Sequence, residues 1–423
     1  MTSPTPITLK QLGLLGDFRL LVILFIGFRL MMLMVYQPLL IDDVERGVGA
    51  QGDRVYHYQL SALTADGDYP FLDWWSEFPP VWYTLTTLVY QSQGQAVDYS
   101  TWSLMMAGII LIFEVGNLFL IRAIGKHLHG ELIGMSLAWV YALLFAPLVF
   151  VFWNFEAIVA YFLLLGVYFI LKGRDVRGGL AIGIGALTKF TPALIFGALF
   201  RYKQTASIAK TVLVSVGLFA LIYGVLIANA SANQKDIGYV TTSLTAQFGK
   251  ASYQTVWALL DGNFRTGNFG TVESHYDLSA TEALYGNPAV IPSWVRLGVA
   301  VAIGLFVFLT TRRMDDKGFV AFVTITILIF FLQAQGWSPQ WLAQIIPLVL
   351  LCFPTKNGIL TTLVLAGVTF AEYPVLFIRT GDTGGEITGA LMTPFVGIII
   401  LRTVILVALC VALYLKLRQE PVK

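Results

Sequence analysis

Long apolar runs separated by short basic clusters dominate the pattern of this chain. Runs such as FRLLVILFIGFRLMMLMVYQPLL, WVYALLFAPLVFVFW and LRTVILVALCVALYL approach the roughly 20 apolar residues with which a helix crosses a bilayer. The same pattern predicts spans at Phe18 to Leu40, Trp102 to Ile121, Ile133 to Phe152, Ala157 to Leu171, Val212 to Ile227, Trp294 to Leu309, Phe319 to Leu332, Gln340 to Cys352, Leu360 to Phe370 and Phe395 to Tyr414. The segment PPVWYTLTTLVY has about 12 residues, the length of an interfacial or re-entrant helix, and is read as a juxtamembrane helix. One piece, GGLAIGIGALTKFTPALIFGALFRYK, is basic at both ends, and a single span cannot begin and finish on one side. It is expected to be a broken hairpin of two half-helices meeting near Thr188 to Pro192, because Pro192 disfavours helix at the residue before it. Irregular backbone at that depth is tolerated only where protein or a watery cavity covers it. With each half-helix counted, about twelve membrane helices result, and the fold class is all-α and polytopic.

Composition agrees with that class. The 423 residues are 57% hydrophobic and 12% charged, with mean hydropathy +0.74, whereas a soluble domain is about a quarter charged. No stretch has the polarity of a separate soluble domain, so residues 1–423 read as one integral domain. A net charge of +2 and basic residues confined to short loops give no nucleic-acid surface. Instead they set orientation, since cytoplasmic loops hold the Lys and Arg excess. The basic segments are Arg122 to His129, Lys172 to Arg177, Arg201 to Lys210, Arg312 to Lys317, the tail KLRQEPVK, and the N-terminus through Lys10 and Arg19. Parity then puts a first loop at 42–101 and a second at 228–292 on the outer face, with shorter ones at 335–338 and 372–388. Cys352 and Cys410 lie in apolar segments and form neither a disulfide framework nor a metal motif. The N-terminus lacks a Lys/Arg-led, Ala-x-Ala-ended signal, so the first span is expected to stay uncleaved.

Candidate chemistry collects on the outer side. The first loop carries Asp42, Asp43, Glu45, Asp53, Asp66, Asp68, Asp73 and Glu77, and for any one of them a solvated loop charge is the default. Asp53 stands out because it precedes VYHYQL, a short amphipathic helix. Backbone donors at a helix N-terminus favour an ionised carboxylate, which suits a base of modest pKa. Glu77 precedes FPPVW, where two prolines break the backbone and the aromatic side chains suit the headgroup layer; loop charge remains its better reading. Lys189, in LTKFTP, is ionisable at membrane depth, which is costly and usually functional. Its plainer role is to snorkel or to satisfy a half-helix C-terminus. Arg29, Glu114 and Asn117 in apolar spans are explained by an ion pair between helices. WNFE at 153–156 and GWSPQW at 336–341 read as reversals at the outer face that need no role beyond turning the chain, and their shared side makes them candidate cavity lining. There is no GxxxxGKS loop, HExxH, zinc spacing or GxSxG elbow. The Asp42-Asp43 pair is weak support for a divalent cation, so no metal or cofactor is expected.

The ordered set DRVYHYQL, SEFPPVWY, WNFEAIVAYFLLLGVYFIL, GGLAIGIGALTKFTPALI and GWSPQWLAQIIPLVLL resembles the glycosyltransferase-C superfamily. It looks most like the branch of polyprenyl-phosphate-dependent mannosyl- and arabinofuranosyltransferases, over most of the chain. The resemblance implies an acceptor hydroxyl on a lipid or glycan attacking the anomeric carbon of a sugar carried on a polyprenyl phosphate, with inversion. It implies Asp53 as general base, Lys189 as a contact to the donor phosphate, and Glu77, Gln340 and His275 as lesser cavity residues. The neighbouring Asp42-Asp43 pair departs from the stricter pattern and leaves the choice of base open. A secondary transporter is the competing expectation, motivated by the broken hairpin and its lysine, and it calls for a second broken segment that the sequence does not supply. A polysaccharide ligase or lipid-handling protein, acting on a pyrophosphate-linked saccharide, is the third.

Overall fold

The computed structural model describes residues 9–42, 44–47, 53–94, 97–144, 154–267, 270–282, 285–380 and 385–420. Helices fill it, as the apolar pattern requires. The first is α1 (Phe18–Val35), capped by the Asp17 side chain on the Arg19 N–H. It stops short of Leu40, correcting the predicted end. Pro38 has no N–H to continue the ladder and forces the preceding residue out of the helical region, so Leu39–Ile41 and Val44–Arg46 form a small antiparallel hairpin instead. Two short helices follow outside the membrane body, α2 (Asp53–Ala62) and α3 (Pro80–Gln91). Pro80 stands at the first turn of α3, where a missing N–H costs nothing.

The next helices are α4 (Tyr99–His129), α5 (Glu131–Leu143), α6 (Glu156–Leu171), α7 (Asp175–Thr188), α8 (Ile195–Tyr202) and α9 (Thr205–Ala232). After them come α10 (Gly238–Gly249), α11 (Val256–Asp261), α12 (Ser293–Thr310), α13 (Asp316–Gln333), α14 (Leu342–Cys352), α15 (Lys356–Phe370), α16 (Phe377–Thr380) and α17 (Met392–Arg418). The expected basic loop Arg122 to His129 is helical, with Lys126, His127 and His129 in the last turn of α4, where cations complement the helix dipole. The predicted span Ile133 to Phe152 is represented by α5, and its remainder lies outside the described residues. Among the described residues seven helices are long and apolar enough to cross a membrane, and three shorter apolar ones accompany them.

The broken hairpin forms as expected. Helix α7 ends at Thr188, Lys189 is extended, and a 3-10 turn over Thr191–Leu194 leads into α8. Pro192 packs so closely on Gly185 that a Cβ there would come within 2.8 Å of the proline ring. Both arms end on one side, because Ser207 Oγ donates to Asp175 Oδ1 at 2.6 Å, joining the start of α7 to the start of α9. The other basic segments gather at this same end. His127 meets Asp316 at 2.7 Å, Arg201 donates to the Thr311 carbonyl at 2.9 Å, and the Arg312 N–H donates to Leu417 O at 2.9 Å.

The core lies between α4, α5, α6, α8, α13 and α14, and α14 is buried at every position. By contrast α1, α9 and α12 expose most of their apolar windows, the arrangement of helices that face lipid. Arg29 and Glu114 pair at 4.0 Å between α1 and α4, and Tyr141 donates to Glu114 at 2.9 Å. Their internal pairing is what the sequence leads one to expect.

Candidate active site

Opposite the basic end, the two long inter-helix segments fold over α6, the hairpin tip and the start of α14. Asp53 is the first residue of α2 and is half-buried. Its neighbour Arg54 turns inward and donates Nε to Glu45 Oε1 and to the Tyr99 hydroxyl, each at 2.8 Å. That draws the carboxylate of the 39–46 hairpin toward Asp53. Among the described residues the Asp53 carboxylate has no hydrogen bond or ion pair of its own. Burial, then the negative charges of Glu45 and Glu77, raise its pKa to about 7, with Lys250 offsetting part of the effect. The expectation of a carboxylate kept firmly ionised by a helix N-terminus is therefore corrected: desolvation and like charge outweigh the backbone donors.

Glu77 is also part of this cluster. It is 4% exposed, and Lys250 donates Nζ to its Oε1 at 2.7 Å, with Gln247 Nε2 at 3.3 Å from the other oxygen. Burial alone would push the Glu77 carboxyl up, but the charges and hydrogen bond of Lys250, with His275 and His57, hold it below the usual range. A pocket opens here between Trp75, Glu77, Lys250, Ser274 and Tyr285. The reading of Glu77 as a solvated loop charge fails because FPP turns it inward and the second loop brings a lysine to meet it.

His275 is fully buried. Its ring stacks on Trp75 at 4.2 Å, its Nδ1 lies 2.5 Å from the Trp75 carbonyl, and its Nε2 meets the Tyr56 hydroxyl. A carbonyl partner assigns the proton to Nδ1, so Nε2 accepts from Tyr56. Burial lowers its pKa. His275 thus fastens the second loop to the first, one helical turn along from Asp53. Asp42 is exposed in the turn of the 39–46 hairpin with φ +49°, away from these contacts. Asp43 lies outside the described residues.

The hairpin tip supplies the cation. Lys189 pairs with Glu156 of the WNFE segment, and its ammonium lies over the Trp341 ring at 4.9 Å and over Phe78 and Phe155 at 5.7 Å. Glu156 is held in turn by Gln344 Nε2 at 2.5 Å, while Thr191 Oγ1 donates to Gln344 Oε1 at 2.8 Å. WNFE, TKFT and GWSPQW are therefore one polar network rather than three separate turns. Gln340 is largely buried in the 3-10 turn before α14, beside Trp341. An ammonium has three donors, and Lys189 retains partial exposure of 13% beyond its carboxylate partner.

A further buried charge pair lies outside the residues that the sequence pattern singles out. Arg402 of α17 pairs with Glu372, Gln254 Nε2 donates to Glu372 Oε1 at 2.9 Å, and the guanidinium lies 4.3 Å from the Trp337 ring centre. The pattern puts residue 372 in an outer loop, yet Glu372 has no exposed surface. The signal was present: each is a lone ionisable residue in an apolar run, which usually marks a built site. Among the described residues no three His, Cys, Asp or Glu side chains gather as a metal site.

The sequence matches the glycosyltransferase family 87 profile over residues 79–334, more than half of the chain. The chain belongs to glycosyltransferase family 87. The match takes in α3, the hairpin with Lys189, the Glu156 segment and the whole second loop. No curated protein sequence matches the chain. Among solved structures, ArnT from Cupriavidus metallidurans in the apo state is similar over 94% of this chain and 75% of its own, at 14% identity and TM-score 0.49. The same protein bound to undecaprenyl phosphate gives 12% identity and TM-score 0.45 over 94% of this chain and 76% of its own. The apo oligosaccharyltransferase of Archaeoglobus fulgidus is similar over 95% of this chain at 11% identity and TM-score 0.44; this chain spans 56% of its length. These are distant likenesses, and family membership rests on the sequence match. Family 87 membership makes the chain a membrane glycosyltransferase.

Proposed function

We propose that this family 87 enzyme transfers a sugar from a polyprenyl phosphate to a hydroxyl of a lipid or glycan acceptor at the extracytoplasmic face, inverting the anomeric carbon. In this reading the acceptor O–H gives its proton to Asp53 as its oxygen bonds to the anomeric carbon. The bond from that carbon to the phosphate oxygen breaks on the opposite side, and the lipid phosphate leaves as an anion near Lys189. Phosphate is a good leaving group, so stabilising its charge does the work otherwise done by a general acid. The observation that carries the reading is the meeting of two groups at Glu77 and Phe78: the charge of Glu77 acts on the half-buried Asp53 carboxyl, whose pKa is raised to about 7, and the ring of Phe78 lies against the Lys189 ammonium. A base with a pKa near the working pH is the most effective compromise between availability and strength. The clustering of basic segments at the end opposite the site supports that sidedness, since cytoplasmic loops hold the Lys and Arg excess. The sugar is a hexose such as mannose, or a pentose.

The test is Asp53→Asn. The substitution keeps the shape and removes the base, so the protein is expected to insert and bind polyprenyl phosphate as before while transfer falls by about 100-fold or more. Product is read by mass spectrometry from candidate polyprenyl-phosphate sugars, with and without EDTA. Full activity of the variant would remove Asp53 from the role of base.

A further inference from the structure

A sugar in transit must touch the hydroxyl that attacks and the phosphate that leaves, so its ring has to lie between Asp53 and Lys189; the inference rests on that reading of the two residues. Tyr253 lies within electrostatic reach of both ends, Asp53 on one side and Glu156, the partner of Lys189, on the other. Its backbone is stitched to the 335–338 turn: the Tyr253 N–H donates to Gln335 O and the Trp337 N–H donates to Tyr253 O, each at 3.1 Å. The ring lies directly over Gly336, where a Cβ would approach a ring carbon to 2.2 Å. The Ser338 side chain lies against the phenol oxygen. Three residues further on, Trp341 carries the Lys189 ammonium on its face at 4.9 Å, so one turn fixes both the phenol ring and the cation. On the other side Lys250, three residues before Tyr253, holds Glu77 at 2.7 Å. The acidity of the phenol agrees with that placement. Burial drives it up to about 12, and among nearby charges Glu77, Asp53 and Glu156 all disfavour its ionisation. The residue is only half-buried, so part of it stays accessible.

We propose that Tyr253 is the platform on which the transferred sugar lies, and that the absence of a side chain at Gly336 sets the depth of that platform. An aromatic face packs against the C–H face of a sugar ring, and a neutral phenol adds one donor and one acceptor for its hydroxyls. Tyr253 then selects the sugar and orients its anomeric carbon, while Lys189 holds the phosphate whichever sugar is attached.

The test compares binding of bare polyprenyl phosphate with binding of the sugar-loaded carrier, using full-length protein in lipid nanodiscs, together with product formation. Tyr253→Leu is expected to leave the bare carrier's affinity unchanged and to abolish roughly tenfold of affinity that the sugar adds, with transfer falling in step. Tyr253→Phe is expected to retain most of the gain. Gly336→Ala, which keeps the tyrosine but displaces its ring, is expected to shrink the same sugar-dependent gain, and it carries the test if the leucine variant does not insert. Equal weakening of bare and loaded carrier would make Tyr253 a structural strut and overturn the inference, as would an undiminished gain in every variant. A wild-type protein that gains nothing from the sugar and forms no product would instead overturn the glycosyl-transfer reading itself.

Discussion

At the scale of single residues, Asp53 and Glu77 show how placement divides two carboxylates of one loop. Both are screened from water, but Glu77 has Lys250 at 2.7 Å whereas Asp53 has two like charges nearby and a pKa raised to about 7. A base works in its ionised form, so kcat/KM should climb with pH through about 7 and level off above it. Glu77→Gln removes a negative neighbour and releases Lys250, which favours the ionised form of Asp53. The midpoint should therefore move to lower pH, and Lys250→Met should move it up. A pH–rate profile of the three proteins checks this; a midpoint indifferent to both changes would detach Asp53 from the titration. Lys189 was legible in the sequence because a lysine in an apolar run has few innocent explanations. Its partner Glu156 was not singled out, since a carboxylate at the end of WNFE looks like an ordinary turn residue until the hairpin tip is seen to reach it.

At the scale of elements, the apolar pattern carried most of the information, because lipid leaves helices little freedom to be anything else. The broken hairpin was readable from charge parity and Pro192 alone. What the pattern could not show was a helix end decided by one proline, as at Val35, or basic residues that continue a helix, as at the end of α4. Close helix contacts were equally hidden. Helices α4 and α5 meet where a Cβ on Gly134 would lie 2.6 Å from the Lys126 backbone nitrogen and 2.8 Å from the Arg122 oxygen. Backbone cannot move aside as a flexible side chain does, so Gly134→Ala should destabilise the protein by about 1–3 kcal/mol. Thermal unfolding in detergent measures it, with Gly217→Ala, where nothing lies within 4 Å, as the control expected to be nearly silent.

At the scale of the whole molecule, the candidate site is assembled from segments distant in sequence, and pairwise contacts across such distances have no local signature. The first loop was identifiable by its acidity, but nothing in its own sequence says that His275 and Lys250 will close over it. Arg402 and Glu372 extend the same principle to the last span. Removing one member of a buried pair strands the other, so Arg402→Met should cost about 3–5 kcal/mol, and Arg402→Met with Glu372→Leu together less than the single change. Melting temperatures of Arg402→Met, Glu372→Leu and the double variant separate these outcomes; a double variant as unstable as the sum of both single changes would mean the pair is not coupled. This bolt also has a consequence for how the enzyme comes into being. Asp53, Glu156, Lys189 and Tyr253 are all synthesised before α17, yet Gln254, the neighbour of the proposed platform, is anchored through Glu372 to Arg402. A growing chain therefore holds every proposed reacting group while the site still lacks its final fastening, so catalytic competence is expected to arrive late in biogenesis, when the last helix docks.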